Sequence, residues 1–298
     1  MDQWSLCSLT ITGLYEEQMK IINHIALVAG LCVCVDGHGR LTQPPSRSTM
    51  WRFGYNTPHN YNDNQLFCGG FSVQWNQNGG KCGVCGDNIK DKIRENEAPD
   101  GKYATGTIVA KYEVGQMMEI KVHITANHKG WFEYRLCRND NSRAAVTQDC
   151  FDQNLLADES GATRFTITSS MFHISHWVKL PDGLSCSACV LQWKYNTGNS
   201  WGKDEKGKGC IGCGPQEQFY GCADIAIGAD DIEIPAPNGD VVVPDGDVDE
   251  REEIDKTDEY NSNGECMCKC ALTSGAMNIS IISGTLCWII VQALYIAL

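Results

Sequence analysis

The sequence predicts a mainly β fold, an antiparallel β-sandwich of immunoglobulin-like or fibronectin-like kind with long disulfide-stapled loops. Three observations predict it. Across residues 116–125, Met118, Ile120, Val122 and Ile124 alternate with Glu119, Lys121 and His123, the period of a strand with one buried face. Similar short runs recur at 105–112, 131–137, 164–168, 176–180, 189–195 and 219–227, with turn-rich stretches between them, and strong amphipathic helices are scarce. Cysteines are dense through the same region.

In chain order, the first element is a targeting segment. Met19-Lys20 precedes a mainly apolar run over 21–35, the order of a secretory signal, and the run is short for a membrane span. Val35 and Gly37 occupy the small-residue positions read by signal peptidase, which places the cut between Gly37 and His38. Glu16 and Glu17 break the usual basic start, so translation is expected to begin at Met19. Residues 1–37 are therefore assigned to an upstream extension and signal. From His38 to about Asn60, Pro, Ser, Asn and Gly predict an extended loop, and 69–92 reads as a second loop region, stapled by cysteines. The predicted strands follow, and the main domain is bounded at 38–234.

After Ile234, Pro235 and Pro237 lead into an acidic run over 240–259, so 235–264 is assigned as a solvated linker. Residues 277–298 are almost wholly apolar and lack a basic cytoplasmic flank. With a spacer of about twelve residues after Ser262-Asn263-Gly264, the segment 265–298 matches a glycolipid (GPI) anchor signal, and a transmembrane helix is the alternative. Of the 17 cysteines, Cys7, Cys32, Cys34, Cys266, Cys268, Cys270 and Cys287 belong to these flanking segments. The ten that remain form an even set, which in an oxidising compartment reads as up to five disulfides of undetermined pairing. Zinc is the competing reading of the C-x-x-C pairs Cys82/Cys85, Cys186/Cys189 and Cys210/Cys213.

A net charge of −13 excludes nucleic acid and anionic membrane surfaces as partners and fits an uncharged substrate. The acids concentrate in the linker, so a hydrolase built on two facing carboxylates gains no support. The histidines are more informative. Cleavage before His38 would give an N-terminal histidine, whose α-amine and ring Nδ1 can chelate one metal ion, and a second imidazole would complete a planar set of nitrogens suited to Cu(II). His128 is one candidate partner, since it stands where the alternating strand breaks into a turn, and loop ends carried by a rigid sheet can hold a ligand both exposed and fixed. His24 leaves with the signal, His59 sits in a loop, His123 lies on the polar strand face, and His173 and His176 form an H-x-x-H on a turn and strand.

The run His38-Gly39-Arg40-Leu41-Thr42-Gln43-Pro44-Pro45-Ser46-Arg47 resembles the mature start of lytic polysaccharide monooxygenases, in which an N-terminal histidine begins a copper-binding histidine brace. Four further blocks follow in order: Phe67-Cys68-Gly69-Gly70; Ala126-Asn127-His128 with Trp131 and Tyr134; Gly198-Asn199-Ser200-Trp201-Gly202; and Phe219-Tyr220-Gly221-Cys222-Ala223-Asp224. The cysteine layout, Cys82-Gly83-Val84-Cys85-Gly86-Asp87 above all, is most similar to auxiliary activity family 15. The resemblance covers about His38 to Ile234 and implies one copper ion held by His38 and His128, with an aromatic residue on its axial side. Phe219 and Tyr220 are the candidates for that residue. Alternation puts Phe219 on the face of Ile225 and Ile227 and Tyr220 on that of Asp224, so Phe219 takes the inward position, with Tyr220 as the alternative. Ala126 resembles the small residue on the opposite axial side. Gln192 is a candidate outer-sphere hydrogen-bond donor, with a surface position as the other reading.

The resemblance further implies oxidative cleavage of β-1,4-linked crystalline polysaccharide, chitin first and cellulose second, with an external electron donor and oxygen or hydrogen peroxide. A flat polymer face calls for an exposed aromatic platform. Trp75 is the first choice, with Trp51 and Tyr55 behind it. The expected protein is a secreted monomer tethered to the cell surface by its lipid anchor. The rival functions are a non-catalytic chitin-binding module and a cell-surface copper-binding protein.

Overall fold

Two sheets face each other across a single apolar core. The structure is a computed structural model that describes residues 37–229 and 231–236, together with two short strands further along the chain. The smaller sheet has the order β1-β3-β6, from β1 (His38–Gln43), β3 (Met117–Ala126) and β6 (His173–Lys179). The larger has the order β2-β10-β7-β4-β5, from β2 (Ala110–Tyr112), β10 (Gln218–Ile227), β7 (Cys186–Asn196), β4 (Gly130–Cys137) and β5 (Phe165–Ile167). A hairpin of β8 (Trp201–Lys203) and β9 (Gly209–Ile211) and the short helix α1 (Gln148–Asp152) stand outside the two sheets. All pairings are antiparallel except β2 with β10, which is parallel.

The alternation in β3 does what it predicts: Met118, Ile120, Val122 and Ile124 are buried and meet Phe132, Trp193, Tyr195, Phe219 and Ile225 in the core. β10 is buried at every residue, because a further layer covers its outer face. That layer is the cysteine-rich loop region: Val84, Cys85, Cys137, Phe151, Val190 and Cys222 make a smaller apolar cluster there. Arg47 anchors it from within, donating from Nε and Nη2 to Asp224 at 2.7 and 2.6 Å, and from Nη1 to the Asn96 carbonyl at 3.0 Å. The ten cysteines form five disulfides: Cys68–Cys82, Cys85–Cys222, Cys137–Cys150, Cys186–Cys189 and Cys210–Cys213.

Two strand expectations need correction. The predicted loop from His38 opens as strand β1, since Leu41 is driven into the core and the backbone completes the edge of β3. The predicted strand 105–112 shrinks to β2: Gly106 at φ +77° leaves the extended path, and pairing with β10 begins only at Ala110.

Contacts divide the chain into one unit of Asp36–Ile254 and another of Met1–Val35 with Asp255–Leu298. Of the second, the described part is the strand pair Glu259–Tyr260 with Cys266–Met267, β11 and β12. Most of the assigned signal, acidic linker and anchor segments lies outside the described residues. Among the described residues no helix is long and apolar enough to cross a membrane.

Candidate metal centre

Strand pairing brings the two chosen histidines to one end of the sandwich. His38 opens β1 and stands opposite Ala126, the last residue of β3, and His128 follows in the turn between β3 and β4. That turn packs tightly: Lys129 has φ +55° and Gly130 φ +98°, and a Cβ at Gly130 would come within 2.1 Å of the Asn196 carbonyl. The His128 main chain is held from both sides, its N–H donating to the Tyr195 hydroxyl at 3.0 Å and its carbonyl accepting from the Gly198 N–H at 2.9 Å. Asn127 ties the turn to the Thr168 and Met171 carbonyls.

Gly37 lies at the point where the site's side chains meet. A Cβ built on it would lie 3.0 Å from His128 Nδ1, 3.1 Å from Phe219 Cε2 and 3.3 Å from Glu217 Oε2. Its N–H donates to Glu217 Oε2 at 3.1 Å, and that oxygen is 3.9 Å from His128 Nδ1. The His38 ring stands 6.3 Å from that of Phe219, tilted by 41°. Phe219 is fully buried, stacked on Phe67 at 6.1 Å and tilted against Tyr195 at 5.9 Å.

Tyr220 does not join this group. It sits on the opposite face of β10, its hydroxyl donating to Gln218 Oε1 at 2.9 Å, and burial pushes its phenol well above the usual range. Ala126, half-buried, is next to His38 through the pairing. Gln192 must be corrected: it faces away from the histidines, buried under the cysteine-rich layer, where its Nε2 donates to the Val84 carbonyl at 2.7 Å. Val190 and Gln192 of β7 face that layer, whereas Trp193 and Tyr195 face the core.

The aromatic candidates also separate. Trp75 is half-buried, lying across Gly80, and its Nε1 donates to the Gln216 carbonyl at 2.9 Å, one residue before Glu217. Trp51 and Tyr55 make no surface platform. Trp51 is 5% exposed, with His59 stacked on it at 4.6 Å and the Arg52 guanidinium 4.3 Å from its ring centre. Tyr55 packs on the core and donates to the Val109 carbonyl at 3.2 Å. Of the other histidines, His123 and His173 stack on each other at 4.4 Å, and His176 is enclosed by aromatic rings.

Sequence reasoning missed Glu217 and Tyr195. Glu217 was findable, since two-residue alternation puts it on the face of Phe219. Tyr195 is recognisable only through the pairing that sets it opposite Phe219.

The donors suit copper. Among the described residues no three His, Cys, Asp or Glu side chains converge as a metal cluster. This end of the sandwich offers the imidazoles of His38 and His128, with the Glu217 carboxylate 3.9 Å from His128 Nδ1, and a new N-terminus would add an amine. Nitrogen donors of this kind, beside a phenyl ring with no donor atom, fit Cu better than a hard, oxygen-seeking ion.

The family described as "Lytic polysaccharide mono-oxygenase, cellulose-degrading" matches residues 38–225, starting at the histidine that opens β1. Among solved structures, an AA15 lytic polysaccharide monooxygenase from Thermobia domestica in the Cu(I) state shares 49% identity, over 64% of this chain and 98% of that one, with a TM-score of 0.62. A chitin binding domain from Burkholderia pseudomallei shares 14% identity, over 64% of this chain and all of its own, with a TM-score of 0.36, too low to carry an argument. The comparison with curated proteins found no match. The family match spans more than half of the sequence and the described core lies within it, so the chain belongs to the lytic polysaccharide monooxygenases, as a copper-dependent oxidoreductase of auxiliary activity family 15.

Proposed function

We propose that the mature enzyme begins at His38, that the His38 amine and ring complete a histidine brace with His128, and that its substrate is chitin. The observation that carries the brace is the place of Gly37, with His128, Glu217 and Phe219 all within contact distance of its Cβ position. Removal of residues 1–37 would leave the His38 amine as the new chain end beside these groups. Copper, when bound, supplies the one-electron and oxygen chemistry that oxidises a sugar C–H bond.

The protein's own groups supply the rest. Tyr195 and Gly198 hold the His128 main chain, so its ring has little freedom to lose on binding metal. Phe219 shields one side with a ring that cannot ligate, and Ala126 beside His38 leaves room for a small molecule. Glu217, which accepts from the Gly37 N–H here, would accept from the freed amine or a nearby water after cleavage. Trp75, tied to Gln216, stacks on the sugar face and aligns the polymer with the site. Electrons come from an external donor, with oxygen or hydrogen peroxide as co-substrate. The enzyme is a secreted monomer, and the 265–298 tail serves as a GPI anchor that keeps it at the cell surface.

The central test incubates protein starting at His38 with copper, a reductant and either chitin or cellulose, followed by mass spectrometry. Oxidised chito-oligosaccharides are expected. Oxidised products from cellulose alone would overturn the substrate, and failure to take up Cu(II) would overturn the brace. Secreted protein starting at another residue would overturn the cleavage site, and resistance to a phosphatidylinositol-specific phospholipase would overturn the anchor. Trp75→Ala is expected to lose chitin binding with copper affinity unchanged.

A further inference from the structure

β5 and β6 are the edge strands of their sheets, and between them the sandwich leaves a cavity of about 570 Å³. Trp177, Phe165, His176, Ser175, Asp158 and Glu159 are among its lining residues. Trp177 pairs with Glu119 on β3, seven residues before the Ala126 that pairs with His38. At ~3.3 Å per residue the cavity is therefore roughly 23 Å along the strand from the metal centre. It needs its own explanation.

The lining has a definite chemistry. Trp177 is 53% exposed, an unusual position for an indole, and it leaves an aromatic face beside the opening. Asp158 is fixed in its turn: the Ser160 hydroxyl and N–H and the Ala162 N–H donate to its carboxylate and hold it below the usual range. Glu159 projects next to it, exposed. The Ser175 hydroxyl donates to Glu119 Oε1 at 2.7 Å, so its lone pairs remain for another donor. No Lys or Arg belongs to the lining, which rules out an anion as the ligand. An aromatic face for C–H groups, ringed by acceptors for O–H groups, suits a neutral sugar. The volume lies within the ~300–1,000 Å³ usual for ligand pockets.

We infer that this cavity is a second carbohydrate-binding site, in which Trp177 stacks on a ring of a neutral β-linked oligosaccharide while Glu159 and Ser175 accept its hydroxyl protons. The choice of sugar rests on the polysaccharide reading above. The site would hold a second polymer strand and raise the effective concentration of substrate at the metal centre.

The test is calorimetric titration of the mature protein, with no reductant present, using N-acetylchitohexaose and, separately, cellohexaose. At least one sugar is expected to bind, with affinity falling roughly tenfold or more in Trp177→Ala and several-fold in Glu159→Gln. Trp177→Ala should leave copper uptake unchanged, which shows that the variant is folded. Absence of binding by both sugars, or binding lost in Trp75→Ala and intact in Trp177→Ala, would overturn the proposal. No oxidation occurs in this measurement, so its failure is distinct from failure of the chitin-oxidation reading.

Discussion

Two tyrosines each hold a histidine, in opposite ways. Tyr195 grips the main chain of His128, accepting its N–H at 3.0 Å, and the ring turns toward Gly37 and Glu217. Tyr134 instead grips the ring of His176, its hydroxyl 2.7 Å from Nδ1. The His176 ring is packed as well, stacked on Phe165 at 4.5 Å and edge-on to Phe132 at 5.9 Å. A histidine ring packed among aromatic side chains serves the core; one whose backbone is clamped and whose ring faces an acidic side chain is held in a set orientation, as a metal ligand requires. The contrast separates a structural histidine from a candidate ligand without reference to the metal.

The largest expected effect breaks the two apart directly. His128→Ala should weaken Cu(II) uptake by the mature protein by roughly two orders of magnitude or more, exceeding the usual loss of an outer-shell partner. His176→Ala should leave uptake unchanged and lower stability by about 2–4 kcal/mol, because it empties part of an aromatic cluster. Calorimetric copper titration and urea unfolding of both variants measure the pair. Equal loss of copper uptake in the two would remove the distinction.

That distinction was only half legible in the sequence. The alternation of β3 indicated its buried face, and the break after Ala126 put His128 on a turn, while its choice as the partner of His38 came from the resemblance of the surrounding blocks. The role of His176 did not, since Tyr134 and Phe165 reach it from the other sheet, and the register that decides this is non-local. Trp51 and Tyr55 misled for a related reason: tryptophan and tyrosine serve equally as platform and as packing, and only their neighbours decide. Gln192 shows the limit of alternation, which separates two faces but does not say which one the metal end occupies. The five-disulfide count came from arithmetic, whereas the pairing of Cys85 with Cys222 across 137 residues needed the fold.

A smaller effect sharpens the comparison. Tyr195→Phe removes the acceptor of the buried His128 N–H, which should cost about 1–3 kcal/mol in unfolding free energy. Copper uptake should fall several-fold through the loosened turn, with no ligand lost. Tyr134→Phe should cost a similar amount in stability and leave copper uptake untouched. Urea midpoints and copper titrations of the two variants read both quantities, and loss of uptake in Tyr134→Phe alone would reverse the assignment.

The smallest expected effect concerns acid. Burial lowers the His176 pKa to about 4, against the opposing pull of Asp158, whereas the unfolded chain keeps the ordinary value of 6.5. Between these values the unfolded state binds the proton and the folded state does not, so stability falls as pH drops from about 6.5 toward 4 and is unaffected by this group above that window. The ring retains some solvent contact, so the slope should be less than the ~1.4 kcal/mol per pH unit of a fully enclosed group. Carboxylates such as Glu133, whose pKa is lowered because hydrogen bonds from Arg135 and Arg164 outweigh burial, add their own acid loss. The difference between the parent and His176→Phe isolates the histidine: the variant's urea midpoint should decline less between pH 7 and pH 5. A parallel decline in both would mean that burial does not keep the ring neutral, and that the enclosure of His176 is looser than its aromatic neighbours indicate.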